Sequence, residues 1–182
     1  MTMQPVTLAE IKNIADYELE RDAWRPQVLA IKERRRIRVG DHLTFLFENR
    51  ETVRYQVQEM MRIERLVRQH DIEHELETYN ELIPKQHGLC ASLLIEYETP
   101  ELRAVWLRRL LGLEKHIWFA VGNTAPVKAS FDTRQIATDR ISSVQYISFQ
   151  FTAEQAALLG KGAKLVVDHP SYAAETVLSA DQ

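Results

Sequence analysis

A chain of 182 residues, 45% hydrophobic and 27% charged, carries enough apolar side chains for a core of its own, which excludes long disorder and fits a single domain over residues 1–182. Its 23 basic and 26 acidic residues leave a net charge of −3, so any attraction to nucleic acid or to an anionic membrane has to be local. One cysteine, Cys90, permits no internal disulfide and no Cys-x-x-Cys pair; with a start, MTMQPVTLAEIKN, that reads as neither signal nor transit sequence, the expected location is the cytoplasm.

Residues 1–35 read as a helical arm. Thr7 and Glu10 have capping-box spacing for a short helix, Asp16 can cap a second through Leu19 and Trp24, and Pro26 is expected to break that helix and open another. Lys32, Arg34, Arg35, Arg36 and Arg38 form the chain's basic run. No aromatic platforms interleave them, so a solvated edge strand is expected there and nucleic acid is not. Gly40-Asp41 suits a two-residue hairpin turn between Ile37-Arg38-Val39 and the strand His42 to Phe47.

Residues 36–88 then hold that hairpin and a helical pair. Glu48 ends the strand, Asn49 is a good helix cap, and a helix begins near Arg50. Val53, Val57, Met60 and Val67 share one face of it at helical spacing, with Glu64 amid that apolar stripe and Glu59 on its flank. A carboxylate drawn out of water must find a cation or a donor, or hold its proton, so a perturbed Glu64 is expected. A second helix, capped at Asp71 and carrying Ile72, Leu76, Tyr79 and Ile83, should complete a helical hairpin up to Pro84.

Residues 89–168 read as sheet and helices. A strand from Leu89 to Tyr97 precedes a helix capped by Thr99 and opened by Pro100, whose buried face would be Leu102, Val105, Trp106 and Leu110, with Gly112 as its left-handed stop. Strands at 116–121, 127–131 and 144–151, a short helix boxed by Thr152 and Gln155, and a strand at 164–167 complete the order; 169–182 is a turn, DHPSY, and a frayed tail. The fold class is therefore α+β: a helical arm and helical hairpin on a mainly antiparallel sheet, the C-terminal half ferredoxin-like in element order.

Nucleotide loops, His-Glu-x-x-His, Glu-x-x-His pairs and Gly-x-Ser-x-Gly are absent from the sequence, so no cofactor is called for. The strongest candidate constellation surrounds Asn49. Glu48, Arg50, Arg54 and Gln56 are candidate binding residues, and Glu59 and Glu64 candidate catalytic carboxylates, with His42 or His87 as partner. His70 and His74 are four apart and His87 and Cys90 three apart, which makes them weak candidate metal ligands. His169 between Asp168 and Pro170 is read as a turn residue ahead of a general base.

The segment FENRETVRYQVQEMMRIE, with LCASLLIEY and DHPSY, resembles a bacterial domain family of unknown function over nearly the whole chain. Members of that family are often encoded beside rubrerythrin and an iron-sulfur oxidoreductase, and no catalytic residue is established in it. The resemblance implies a place in peroxide or oxidative-stress metabolism, with one of those proteins as partner. Lacking the cysteines and Glu-x-x-His pairs to hold their metal centres, this chain would be an accessory or binding protein. The alternative is a small enzyme or metal-dependent catalyst at Glu59 and Glu64.

Overall fold

The structure, a computed structural model, describes residues 3–179; the last of the expected tail, 180–182, lies outside them. The fold is α+β, as expected, and the chain forms two compact units: a helical one, up to Arg34 and again over Glu48–Gln86, and a β one, Arg35–Phe47 and from His87 onward.

In the helical unit the Thr7 and Glu10 box is formed around a single 3-10 turn, Leu8–Glu10. Helix α1 (Ile14–Arg34) then runs unbroken through Pro26. It starts two residues before Asp16, with Asn13 Oδ1 accepting from the Asp16 N–H at 2.9 Å. The expected break at Pro26 does not occur. The proline faces solvent, so the carbonyl it leaves without a partner can be hydrated, and the Gln27 side chain donates to the neighbouring Ala23 carbonyl at 3.1 Å. Helix α2 (Arg50–Glu64) starts where expected: Asn49 accepts from the Thr52 N–H at 2.9 Å, and Thr52 Oγ1 accepts from the Asn49 N–H at 2.9 Å. It stops at Arg65, which adopts the left-handed conformation. Helix α3 (Gln69–Asn80) follows, capped at Arg68 with Asp71 already in its first turn, and buries Leu76 and Tyr79 as its periodicity required.

The β unit begins with β1 (Arg36–Val39) and β2 (Leu43–Phe47). Their register pairs Val39 with Leu43, so the turn holds three residues, Gly40 to His42, instead of the expected two. Its carbonyl and N–H are bridged by another strand's hydroxyl: Tyr172 Oη donates to the Val39 carbonyl at 2.7 Å and accepts from the His42 N–H at 3.1 Å. The unit continues with β3 (Gly88–Ile95), α4 (Pro100–Arg109), β4 (Ile117–Ala120), β5 (Val127–Lys128), β6 (Ser130–Phe131), β7 (Val144–Gln150), α5 (Ala153–Leu158), β8 (Lys164–His169) and β9 (Tyr172–Val177). This is the expected element order, with the strand at 127–131 divided in two and a strand, β9, where turn and tail were expected.

The strands lie in two antiparallel sheets, β1-β2-β3-β7-β6 and β5-β4-β8-β9. A single residue separates β5 from β6, so the chain crosses from one sheet to the other at Ala129. At the opposite edges Tyr172 and Thr176 of β9 donate side-chain bonds to the carbonyls of Val39 and Arg38 in β1. Both sheets share one core, in which Phe45, Phe47, Phe119, Phe149 and Phe151 meet Leu93, Leu110, Leu113 and Leu165. Helix α4 enters that core through Leu107 and the following Leu110, while Leu102 and Val105, expected inside, are exposed. At its end the Ile141 N–H bonds the Leu107 carbonyl at 3.1 Å.

Candidate functional site

The site grows from one face of α1. Tyr17, Arg21, Trp24 and Val28 recur at intervals of four, three and four, which places them along a single stripe opposite α2. Against that stripe α2 sets Glu59, Tyr55 and Arg54. Arg21 grips Glu59 with two parallel bonds, Nε to Oε1 at 2.7 Å and Nη2 to Oε2 at 2.9 Å, and Tyr17 Oη donates to Oε1 at 2.5 Å. Arg21 therefore holds the Glu59 carboxyl below the usual carboxylate range against the opposing effect of burial. Burial first, and the hydrogen bond to Glu59 second, push the Tyr17 phenol up. Glu59 is thus a fixed anion with both oxygens engaged.

One turn along, aromatic rings replace charges. Trp24 meets Tyr17 edge to face at 5.9 Å and Tyr55 at 5.6 Å, and the Arg54 guanidinium lies 4.6 Å from the Trp24 ring. Arg54 also bonds Glu51 at 3.0 Å, and its Nε is enclosed without a hydrogen-bond partner. A cleft of about 330 Å³ opens here, lined by Lys12, Tyr17, Trp24, Gln27, Arg54 and Gln58 with Glu10 and Glu20. That volume suits a small ligand or the side chains of a docked segment.

The N-terminal segment that forms one wall is held by side chains instead of by secondary structure. Gln58, buried, accepts from the Lys12 N–H at 2.7 Å and donates to the Lys12 carbonyl at 3.1 Å; Asn80 does the same for Val6, both bonds at 2.9 Å. Arg50 completes the attachment, bonding the Gln4 carbonyl at 3.0 Å and both oxygens of Glu10 at 2.5 and 2.6 Å. Chiefly because of that Arg50 bond, the Glu10 carboxyl is held down to about 2.

Of the residues singled out in the sequence, the structure gathers Arg54 and Glu59 along one stretch of α2, and gives Arg50 and Glu48 internal duties. Glu48 is buried and accepts from Thr52 Oγ1 at 2.5 Å, inside the helix start. Gln56 is half-buried, outside the cleft lining. Glu64 is not buried: α2 ends there, and the left-handed Arg65 turns Val67 off the helical face on which the stripe was drawn, leaving Ile63, Glu64 and Val67 exposed. Its charge is felt on α3, where burial first and Glu64 second raise the Glu75 carboxyl.

The histidines lie elsewhere. His70 and His74 are exposed on α3, with His70 against Asp71 at 2.9 Å. His87 is exposed and left-handed at the entry to β3, inside which Cys90 is buried. Among the described residues no group of three or more histidines, cysteines or carboxylates is placed to hold a metal ion. His42 stacks on Tyr97 at 4.1 Å in the β unit. His169 is the buried last residue of β8 and not, as expected, part of the turn: its Nδ1 accepts from the Ser171 N–H at 3.1 Å, so Nε2 carries the proton, facing the Leu111 carbonyl at 3.0 Å. Asp168 instead pairs with His116 at 3.0 Å and Trp118 at 3.1 Å, contacts that hold its carboxyl low.

Sequence reasoning missed Tyr17, Arg21 and Trp24 as site residues. Their shared stripe was legible in the spacing, but its mixed polarity hid it.

The model of the family described as "Protein of unknown function (DUF3501)" matches residues 5–182. A crystal structure of a novel protein of unknown function from Burkholderia pseudomallei K96243 is similar to this chain at 33% identity and a TM-score of 0.89, covering 98% of this chain and 95% of that one. No curated protein matches.

Proposed function

We propose, for a chain that belongs to the DUF3501 family of proteins of unknown function, that it is a non-catalytic accessory protein binding a redox partner at the cleft of the helical unit. The observation that carries this is the state of Glu59. A general base or metal ligand presents an open carboxylate oxygen, whereas Arg21 and Tyr17 fill three of the roughly four acceptor positions of Glu59 and pair its charge. Glu48 and Arg50 are likewise spent on Thr52 and Glu10. What the unit offers outward is Trp24 with Arg54, flanked by Lys12 and Gln27, the tryptophan and arginine pairing that anchors protein interfaces. A role in peroxide or oxidative-stress metabolism, with rubrerythrin or an iron-sulfur oxidoreductase as partner in the cytoplasm, rests on the resemblance carried by the FENR segment. The enzyme alternative has less behind it, since Glu64 is exposed and Glu59 neutralised.

The test is anaerobic affinity purification of the tagged protein from its native host, with co-eluting proteins identified and metal measured. A redox protein that accounts for the metal, and that is lost with Trp24→Ala and Arg54→Gln, supports the reading. Recovery of the protein alone with stoichiometric metal overturns it.

A further inference from the structure

We infer that the outer face of α4 in the β unit is a second docking surface, shaped for a protein segment with an apolar centre and acidic flanks. At about 100° per residue, Val105, Arg109, Leu102 and Trp106 fall within one arc of about 100°. Leu102 and Val105 are 47% and 44% exposed, in a helix whose Leu107 is buried on the opposite side. Trp106 lies half-buried beside them, and the Arg109 guanidinium lies 5.2 Å from its ring. Arg103 flanks the stripe on one side, and Arg108 with the exposed Glu101 on the other, so that basic groups outnumber acidic ones around it.

Two further facts select the occupant. Arg21, Arg50, Arg54 and Arg62 each meet a carboxylate of this chain, whereas among the described residues Arg103, Arg108 and Arg109 meet none. Three unneutralised guanidinium groups around two exposed aliphatic side chains complement Asp and Glu around an apolar anchor. A lipid surface fits less well, because interfacial binding scales with the apolar area inserted and a ten-residue helix with two exposed aliphatic residues supplies little. A phosphate backbone would leave Leu102 and Val105 facing charge.

The experiment titrates the full chain into a fluorescein-labelled amphipathic peptide, leucines on one face and glutamates on the flanks, and reads anisotropy. Saturable binding is expected, weakening about tenfold or more from low to high salt and lost in Val105→Asp and in the triple variant Arg103→Gln, Arg108→Gln, Arg109→Gln. Val105, Arg108 and Arg109 are exposed and Arg103 is half-buried, so circular dichroism checks that each variant keeps its fold. Three results overturn the inference: no binding of the acidic peptide, equal binding by the variants, or equal binding of a lysine-flanked peptide. Phosphatidylglycerol vesicles run in parallel; Val105-dependent vesicle binding without peptide binding overturns it in favour of a membrane.

Discussion

The Tyr172 hydroxyl occupies the turn that follows Gly40, donating to Val39 and accepting from His42, and Gly40 can be there only because it has no side chain. A Cβ on Gly40 would collide with Tyr172 Oη, and its φ of +66° is one that L residues rarely adopt. The left-handed backbone alone costs an alanine about 1–2 kcal/mol, and the collision adds to that. Gly40→Ala should therefore lower the melting temperature by at least several degrees, at about 2–4 °C per kcal/mol for a chain of this size. Tyr172→Phe removes the obstructing oxygen together with its bonds. The double variant should then be less destabilised than the sum of the singles by about 0.5 kcal/mol or more; strict additivity would show that the two residues do not share the turn.

Arg21 and Glu59, with side chains only 19% and 14% exposed, hold α1 against α2. Glu59→Gln leaves a largely covered guanidinium without its counter-charge and should cost about 1–3 kcal/mol in urea unfolding. Tyr17→Phe loses a single donor and should cost about 1 kcal/mol. If Glu59→Gln matched the wild type in stability, the pair would be incidental.

The acid side of the stability profile follows from the same contacts. Glu59 and Glu10 have folded-state values below the ordinary glutamate value, so their contribution is complete above that value. It is lost as pH falls through the folded values, which for Glu10 means down to about 2. Unfolding followed from neutral to acid pH should show the contribution of these two carboxylates declining below about pH 5. Glu59→Gln should decline less steeply. A decline of unchanged slope would assign the acid sensitivity to other carboxylates.

Gln58 holds the segment that walls the cleft through both backbone groups of Lys12. Gln58→Ala deletes two hydrogen bonds and should destabilise by about 1–3 kcal/mol. Limited proteolysis should begin near Lys12 in the variant while the wild type resists. Equal cleavage of the two would show that Arg50 and Asn80 suffice to hold the segment.

Much of this molecule was written locally. Asn49 and Thr52, Thr99 and Pro100, and Thr152 and Gln155 fix helix starts through bonds spanning three residues, and those starts lie where the spacing put them. Alternating and apolar runs likewise placed β2, β3, β7 and β8, because side-chain period and turn residues are properties of neighbours in the chain. What the tertiary structure decided was who meets whom. Glu64 was assigned to a core face that ends at Arg65, and Leu102 and Val105 to an inner face of a helix that instead buries Leu107 and is followed by the buried Leu110. Pro26 was assigned a break that solvent exposure spares, and the stretch after the DHPSY turn a frayed tail, where Tyr172–Val177 pairs with β8 as a strand. Tyr17, Arg21 and Trp24 became a site through partners more than 30 residues away. No local pattern specifies a partner at that distance, since it is chosen by the packing of whole elements and by which buried charge can be satisfied where.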